Sequence, residues 1–388
     1  MSSDFLLIDE LYTEEEKLAR EEIKKFVDKR FKPLIRECFR EGRFPLEIVE
    51  ELGSLGVFGS YIKGYGCAGT NFTTYGLMME ELERGDSGLR SFASVQGSLT
   101  MGAIYYFGSE EQKKYWLPLL ASGKKIGAFA LTEPDFGSNP AGMKTRAIKD
   151  GKSYIINGSK MWITNGHIAD VVVVWAKTGE GPESIRGFIV EKGTKGFEGR
   201  EIKDKISFRA SITSELFFDE CRIPGDNLLP KTEGLKSALT CLNNARFSIA
   251  YGVIGAMREC YEESLRYSLE RVQFGGPIAG HQLIQEKLVF MLTEMTKAKL
   301  LAYRVGRMMD EGKAKHYHIS MAKMNNVKSA LEVARTARDI FGAAGITLDH
   351  SIMRHLVNLE TVFTYEGTHN IHILIIGRQI TGISAFEK

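Results

Sequence analysis

Apolar residues between Thr13 and Val27 recur at helical spacing, with Ala19, Ile23, Phe26 and Val27 on one face. Thr13 followed three residues later by Glu16 is a capping-box signature, so the pattern predicts a helix that starts after Thr13 and ends near Pro33. Similar periodicity predicts helices over 46–55, 75–84, 97–107 and 110–120. The first part of the chain, 1–127, therefore reads as an all-helical domain.

Beyond Gly127 the texture changes to β-branched and aromatic runs at 154–156, 171–175, 187–190 and 215–218, separated by Gly, Asn, Asp and Pro turns. This predicts a compact antiparallel β domain over 128–235. From Asn243 the helical period returns: Ile249, Val253, Met257 and Cys260 form one stripe, and Ile284, Leu288, Met291, Met295 and Ala302 form another. A third helix, about 319–341, ends at Gly342. The segment 236–388 thus reads as a helical bundle, and its methionines as packing residues.

At 388 residues the chain is long enough for several cores, which agrees with three domains. Lys+Arg 51 against Asp+Glu 49 leaves a net charge of +2, and no basic run interleaves with aromatics, so nucleic acid is not an expected partner. The scattered cysteines Cys38, Cys67, Cys221, Cys241 and Cys260 carry neither a disulfide framework nor zinc-ligand spacing, which suits a reducing compartment. Met1-Ser2-Ser3-Asp4 does not resemble a signal peptide, and no apolar run reaches spanning length, so the expectation is a cytoplasmic protein without a membrane partner.

Three stretches invite a chemical reading. Gly64-Tyr65-Gly66-Cys67-Ala68-Gly69 matches the dinucleotide fingerprint GxGxxG, but predicted helices surround it and no βαβ unit does, so a loop is expected. His369 and His372 lie three apart without further ligand-type residues at metal spacing, so no metal is expected. Glu366, in Thr364-Tyr365-Glu366-Gly367-Thr368, stands between an aromatic ring and a glycine: a flat ligand can approach it from one side while the ring limits water on the other. Partial desolvation of that kind suits a general base, although on spacing alone an acid in a turn is more often an exposed loop residue.

The remaining motifs favour the first of those readings. Leu131-Thr132-Glu133-Pro134 with Gly137-Ser138, Lys160-Met161-Trp162-Ile163-Thr164-Asn165, Phe218-Asp219 with Arg222 and Pro224, Arg271-Val272-Gln273-Phe274-Gly275 and Tyr365-Glu366-Gly367-Thr368 occur in an order that resembles the acyl-CoA dehydrogenase family over nearly the whole chain. The resemblance implies an α+β fold with an N-terminal all-α domain, a middle antiparallel β domain and a C-terminal four-helix bundle. It also implies FAD as cofactor, with Glu366 as the catalytic base that removes the proton α to a thioester while a β-hydride passes to the flavin. By resemblance, Phe129, Leu131, Thr132, Ser138, Trp162, Thr164 and Thr368 hold the flavin. Arg271, Gln273, Phe274, Gln282, Gly342 and Gly345 hold the diphosphate and adenine, partly across a subunit interface of a homotetramer. Some relatives carry the base just before an arginine on the bundle helix; here that place is Ala245-Arg246, and alanine cannot take a proton. Electron-transfer flavoprotein is the implied acceptor. A nicotinamide-dependent oxidoreductase and a catalytically silent acyl-CoA-binding protein are the competing classes.

Within the family, 81–91 and Gly367-Thr368-His369-Asn370-Ile371-His372 resemble the glutaryl-CoA dehydrogenases, which makes glutaryl-CoA the expected substrate. Arg90 is the implied counter-charge of the second carboxylate through a two-donor fork, with Ser94 as a further donor and Glu83 tuning the arginine. Ser138, Tyr365 and Arg246 complete the implied substrate contacts. Dehydrogenation to glutaconyl-CoA is then followed by loss of CO2 to crotonyl-CoA, with non-decarboxylating release of glutaconyl-CoA and another short-chain acyl-CoA substrate as alternatives. Gly85, Leu89, Phe363 and Asn370 depart from the usual pattern near this site and bear on the decarboxylation step.

Overall fold

In the computed structural model, residues 4–386 are described, so the reading of Met1-Ser2-Ser3 lies outside the described residues. The helical first part comprises α1 (Glu14–Phe26), α2 (Lys32–Glu41), α3 (Val49–Ser54), α4 (Phe72–Gly85), α5 (Ser87–Ser94), α6 (Gly102–Phe107) and α7 (Glu110–Ala121). The predicted capping box forms: Glu16 N–H donates to Thr13 Oγ1 at 3.3 Å and Thr13 N–H to Glu16 Oε2 at 2.9 Å. The predicted stop near Pro33 does not. The chain continues through a wide π-helical turn, Val27–Phe31, into α2, where Pro33 occupies the first turn and its missing N–H is not needed. A second wide turn, Val95–Met101, joins α5 to α6. Gly64–Gly69 forms turns and coil before α4, with no strand around it.

The middle part contains β1 (Gly127–Ala130), β2 (Arg146–Asp150), β3 (Ser153–Thr164), β4 (Val171–Lys177), β5 (Ile185–Glu191), β6 (Phe197–Glu201) and β7 (Thr213–Pro224). Their order is β1-β4-β2-β3-β7-β6, with β5 also paired to β4. The sheet is mixed rather than wholly antiparallel, because β1 and β2 both run parallel to β4 while the other pairs are antiparallel. Strand β4 explains its own unbroken apolar run. Val171, Val173 and Trp175 join the core shared with the helices, whereas Val172, Val174 and Ala176 join a second core on the opposite face.

A short hairpin, β8 (Val272–Gln273) and β9 (Gly276–Pro277), follows the first of five C-terminal helices: α8 (Gly234–Glu270), α9 (Gln282–Asp310), α10 (His316–Phe341), α11 (Ile352–Thr364) and α12 (His369–Thr381). Two side-chain clamps fix the three parts together. Gln96 donates to the carbonyls of Leu120 and Lys125 at 2.9 and 2.8 Å and accepts from Gly127 N–H at 2.7 Å, tying β1 to the N-terminal helices. Asn358 on α11 accepts from Phe208 N–H at 2.8 Å and donates to Asp86 at 2.9 Å, so the β6–β7 loop, α5 and α11 meet at one point. Among the described residues, no helix is long and apolar enough to cross a membrane.

Candidate active site

Glu366 lies in the tight connection between α11 and α12. Tyr365 ends the first helix, and Thr368 caps the second by accepting Ile371 N–H on Oγ1 at 3.2 Å. The connection is so short that Glu366 adopts φ +52° and Gly367 φ +94°. A left-handed glutamate persists only where its surroundings over-determine it. Here they do: Arg246 Nε, from α8, donates to the Glu366 carbonyl at 2.7 Å, and Lys323 Nζ, from α10, donates to the carbonyls of Tyr365 and Gly367 at 2.5 and 2.6 Å.

One oxygen of the carboxylate is set apart from water, although the residue as a whole is half-buried. Glu366 Oε2 is buried and has no partner among the described residues. Burial raises its pKa above the ordinary carboxylate range, and Arg90, Lys323 and Arg246 pull in the opposite direction without cancelling the rise. The same burial drives Tyr365 upward, and it holds His372 far below the usual imidazole range with Lys323 and Arg246 adding to the effect.

Arg90 on α5 is fully buried. Its Nε donates to Glu83 Oε2 at 2.7 Å, its Nη2 donates to the Tyr365 hydroxyl, and Ser87 supplies a second hydrogen bond to Glu83 at 2.8 Å. This pair packs against α8 only because residue 252 is glycine: a Cβ there would lie 2.2 Å from Glu83 Oε2. Burial opposes the arginine's charge, but Glu83 and Tyr365 outweigh it and keep the guanidinium protonated. Of the five guanidinium N–H groups, Nε and one on Nη2 are engaged, which leaves the second N–H of Nη2 and both on Nη1. Nη1 is buried without a partner among the described residues. Ser94, four residues on and on the same face of α5, bonds to Ser248 at 2.9 Å.

Phe129, Leu131, Thr132, Trp162 and Thr164 gather at one end of the sheet, where Met161 N–H donates to the Thr132 carbonyl at 2.9 Å. The β3–β7 pairing slips between Lys160 and Ile163, and Trp162, at φ +62°, stands 57% exposed. Beneath it Lys160 is fully buried, bonded to the Leu131 carbonyl at 2.9 Å and to Glu133 at 3.0 Å. Burial lowers this lysine to about 8 against the pull of Glu133. The result is an outward indole on the strand that also carries Thr164, bonded next to Trp162 to the Thr132 segment, a flat exposed wall that fits the face of a flavin ring. Ser138 is exposed on the loop that follows Pro134.

The other residues assigned to FAD are elsewhere. Arg271, Gln273, Phe274 and Gln282 cluster around the hairpin after α8. The Gly342–Ile346 turn lies at the same end, where Tyr267 stacks on Phe341 with centroids 4.2 Å apart. At 1.5 Å per residue, Arg271 is about 37 Å along α8 from Arg246. Phe274 is 95% exposed and meets only the edge of His281 among the described ring contacts, with centroids 6.0 Å apart.

Two features escaped sequence reasoning. Lys323 belongs to no motif, although its place on the stripe of Ile319, Ala322, Asn326 and Ala330 marks a lysine on a buried face. The Arg354–Asp86–Asn358 network, with Arg354 Nη1 donating to Asp86 at 2.5 Å and to the Gly85 carbonyl at 2.8 Å, joins residues too far apart in sequence to be paired by inspection. Among the described residues no group of three or more His, Cys, Asp and Glu side chains is arranged to hold a metal, and His369 stacks on Phe363 instead.

A helical domain, a mixed sheet presenting a flavin-sized aromatic wall, and a bundle carrying a desolvated carboxylate define a flavin-dependent oxidoreductase architecture. The chain belongs to the acyl-CoA dehydrogenase family, whose enzymes use FAD: the N-terminal, middle and C-terminal domain models of that family match residues 13–124, 128–221 and 232–381. A glutaryl-CoA dehydrogenase from Mycobacterium smegmatis, solved in complex with FADH2, is 50% identical and superimposes with a TM-score of 0.97 over 98% of both chains. Butyryl-CoA dehydrogenase from Megasphaera elsdenii is 33% identical with a TM-score of 0.91, covering 95% of this chain and 98% of that one. A short-chain specific acyl-CoA dehydrogenase of Clostridium acetobutylicum is 34% identical over 374 residues, 95% of this chain and 98% of that protein.

Proposed function

We propose that the protein dehydrogenates glutaryl-CoA and then decarboxylates the product. The observation that carries this reading is the pair of unpartnered buried groups joined through Tyr365: a carboxylate oxygen on Glu366 and a guanidinium nitrogen on Arg90. A neutral acyl tail would leave Arg90 Nη1 unsatisfied, which is costly in a buried site, whereas a distal carboxylate completes it. The 50% identity to a glutaryl-CoA dehydrogenase supports the same substrate.

Glu366 takes the α-proton, its raised pKa matching it to that task, and its backbone N–H is assigned to the thioester carbonyl as the enolate develops. FAD, when bound beside Thr132, Trp162 and Thr164, supplies the acceptor for the β-hydride. Arg90 holds the distal carboxylate through Nη1, while Nε and one N–H of Nη2 stay committed to Glu83 and Tyr365. A guanidinium whose charge is already shared with Glu83 stabilises the bound carboxylate less than an unshared one, so the carboxylate leaves as CO2 and the electron pair of the broken C–C bond enters the dienolate. The protonated Glu366 then returns its proton, giving crotonyl-CoA. Residues 271–282 with Gly342 and Gly345 complete the cofactor site of a neighbouring copy, as a homotetramer provides, and an electron-transfer flavoprotein reoxidises the enzyme.

Steady-state kinetics with glutaryl-CoA and butyryl-CoA tests the substrate. One charge-assisted hydrogen bond contributes about 1.5–3 kcal/mol, so kcat/KM favours glutaryl-CoA by roughly 10–150-fold. Equal or better use of butyryl-CoA assigns the chain instead to the short-chain reading that its butyryl-CoA and short-chain relatives suggest.

A further inference from the structure

Lys323 is 1% exposed on α10, and no carboxylate is hydrogen-bonded to it. Two of the three N–H donors of its ammonium go to the carbonyls flanking Glu366, at 2.5 and 2.6 Å. The third carbonyl of the turn, that of Glu366 itself, is held by Arg246 from α8. Two cations on two separate helices thus grip three successive carbonyls beneath a residue at φ +52°.

A buried lysine spent on backbone carbonyls is an expensive way to hold a turn if holding is its whole purpose, since a neutral donor would serve. The charges around it indicate a second role. Burial draws Lys323 down to about 7, and Glu366 is the anion that opposes the fall, while Arg246 and Arg90 reinforce it. Facing the same turn are Tyr365, raised by burial, and on α12 the neutral His372 with His369, whose pKa burial also lowers; Glu83 stands behind Arg90. Arg90 is paired with Glu83, whereas for both Arg246 and Lys323 the Glu366 carboxylate is the charge that opposes burial, and Lys323 is the one that also holds the carbonyls on either side of it.

We propose that Lys323 is the positioning residue of the base: it fixes the turn that presents Glu366 Oε2, and its ammonium charge, with those of Arg90 and Arg246, lowers the pH at which Glu366 accepts a proton. This rests on the reading of Glu366 as the base.

The test uses FAD-loaded wild-type protein, Lys323→Met, Lys323→Arg and Glu366→Gln, with an acyl-CoA analogue that carries sulfur in place of the β-carbon. No hydride can leave such a compound, so its α-hydrogen exchange in D2O, followed by mass, reads the base alone. Removing a neighbouring cation destabilises the carboxylate form, so the acid limb of the exchange profile moves to higher pH in Lys323→Met by about one pH unit or more. Lys323→Arg, which keeps the charge, retains the wild-type limb even if its maximal rate falls. An unmoved limb in Lys323→Met overturns the proposal, including when the rate drops uniformly with pH, because that marks a purely structural support. Should Lys323→Met fail to fold or to hold flavin, a shifted limb in Lys323→Arg overturns it equally. Exchange that survives in Glu366→Gln refutes the base reading itself; a silent Glu366→Gln with an unmoved Lys323→Met limb refutes only the role of Lys323.

Discussion

Replacing Arg90 by Gln removes a guanidinium that meets three demands at once. It balances the buried Glu83, it holds the Tyr365 hydroxyl, and it leaves Nη1 for a ligand. The first two are felt by every substrate and by the fold. Leaving Glu83 buried without its counter-charge costs about 3–5 kcal/mol of stability. The third is felt only by an acyl chain ending in a carboxylate. Because Nε and one N–H of Nη2 are already engaged, the loss specific to glutaryl-CoA is assigned to the Nη1 contact, a charged hydrogen bond of about 1.5–3 kcal/mol. The ratio of kcat/KM for glutaryl-CoA over butyryl-CoA therefore falls by roughly 10–150-fold. The double variant Glu83→Gln/Arg90→Gln recovers much of the lost thermal stability but none of the lost ratio. Steady-state assays on both thioesters, with thermal denaturation alongside, separate the terms. An equal fall on both substrates would refute the assignment of Nη1 to the substrate carboxylate.

Two further outcomes follow from the packing and charge. Gly252→Ala drives a methyl group into Glu83 Oε2 and lowers stability by about 1–3 kcal/mol, with a reduced glutaryl-CoA preference, as measured by denaturant unfolding and the same assays. Glu16, 1% exposed, has a lowered pKa: burial opposes the shift, but the Arg307 fork at 2.5 and 2.7 Å and the Thr13 N–H outweigh it. A depressed carboxylate stabilises the fold above its unfolded pKa of about 4.3 and loses that contribution as pH falls through the lower folded value. Glu16→Gln is thus less stable than wild type by about 1.5–3 kcal/mol at pH 7, and the gap closes in strongly acidic solution; a gap independent of pH excludes this assignment.

The helices and the alternation from helical to β to helical texture were legible because each depends on local period and caps, as at Thr13 and Glu16. Pro33 misled because the same residue ends a helix or starts its first turn, and the wide turn at Val27–Phe31 that decides between them has no sequence signature. The GxGxxG letters at Gly64–Gly69 show the reverse case, in which a motif without its βαβ setting is a loop. The direction of β1 relative to β4 was not legible, since strands 44 residues apart by register carry no marker of their pairing. At the site, Glu366 stood out through its neighbours. The partners that shape it did not: Lys323 is separated from it by the whole of α11, and the commitment of two Arg90 nitrogens to Glu83 and Tyr365 is set by packing across Gly252.

The most direct measurement is the mass of the product formed when the purified protein turns over glutaryl-CoA once with an artificial electron acceptor. The shared guanidinium of Arg90 and the proton held by Glu366 predict crotonyl-CoA with released CO2. Accumulated glutaconyl-CoA would contradict the weakened grip on the carboxylate, and a flavin left oxidised by glutaryl-CoA would contradict the substrate itself.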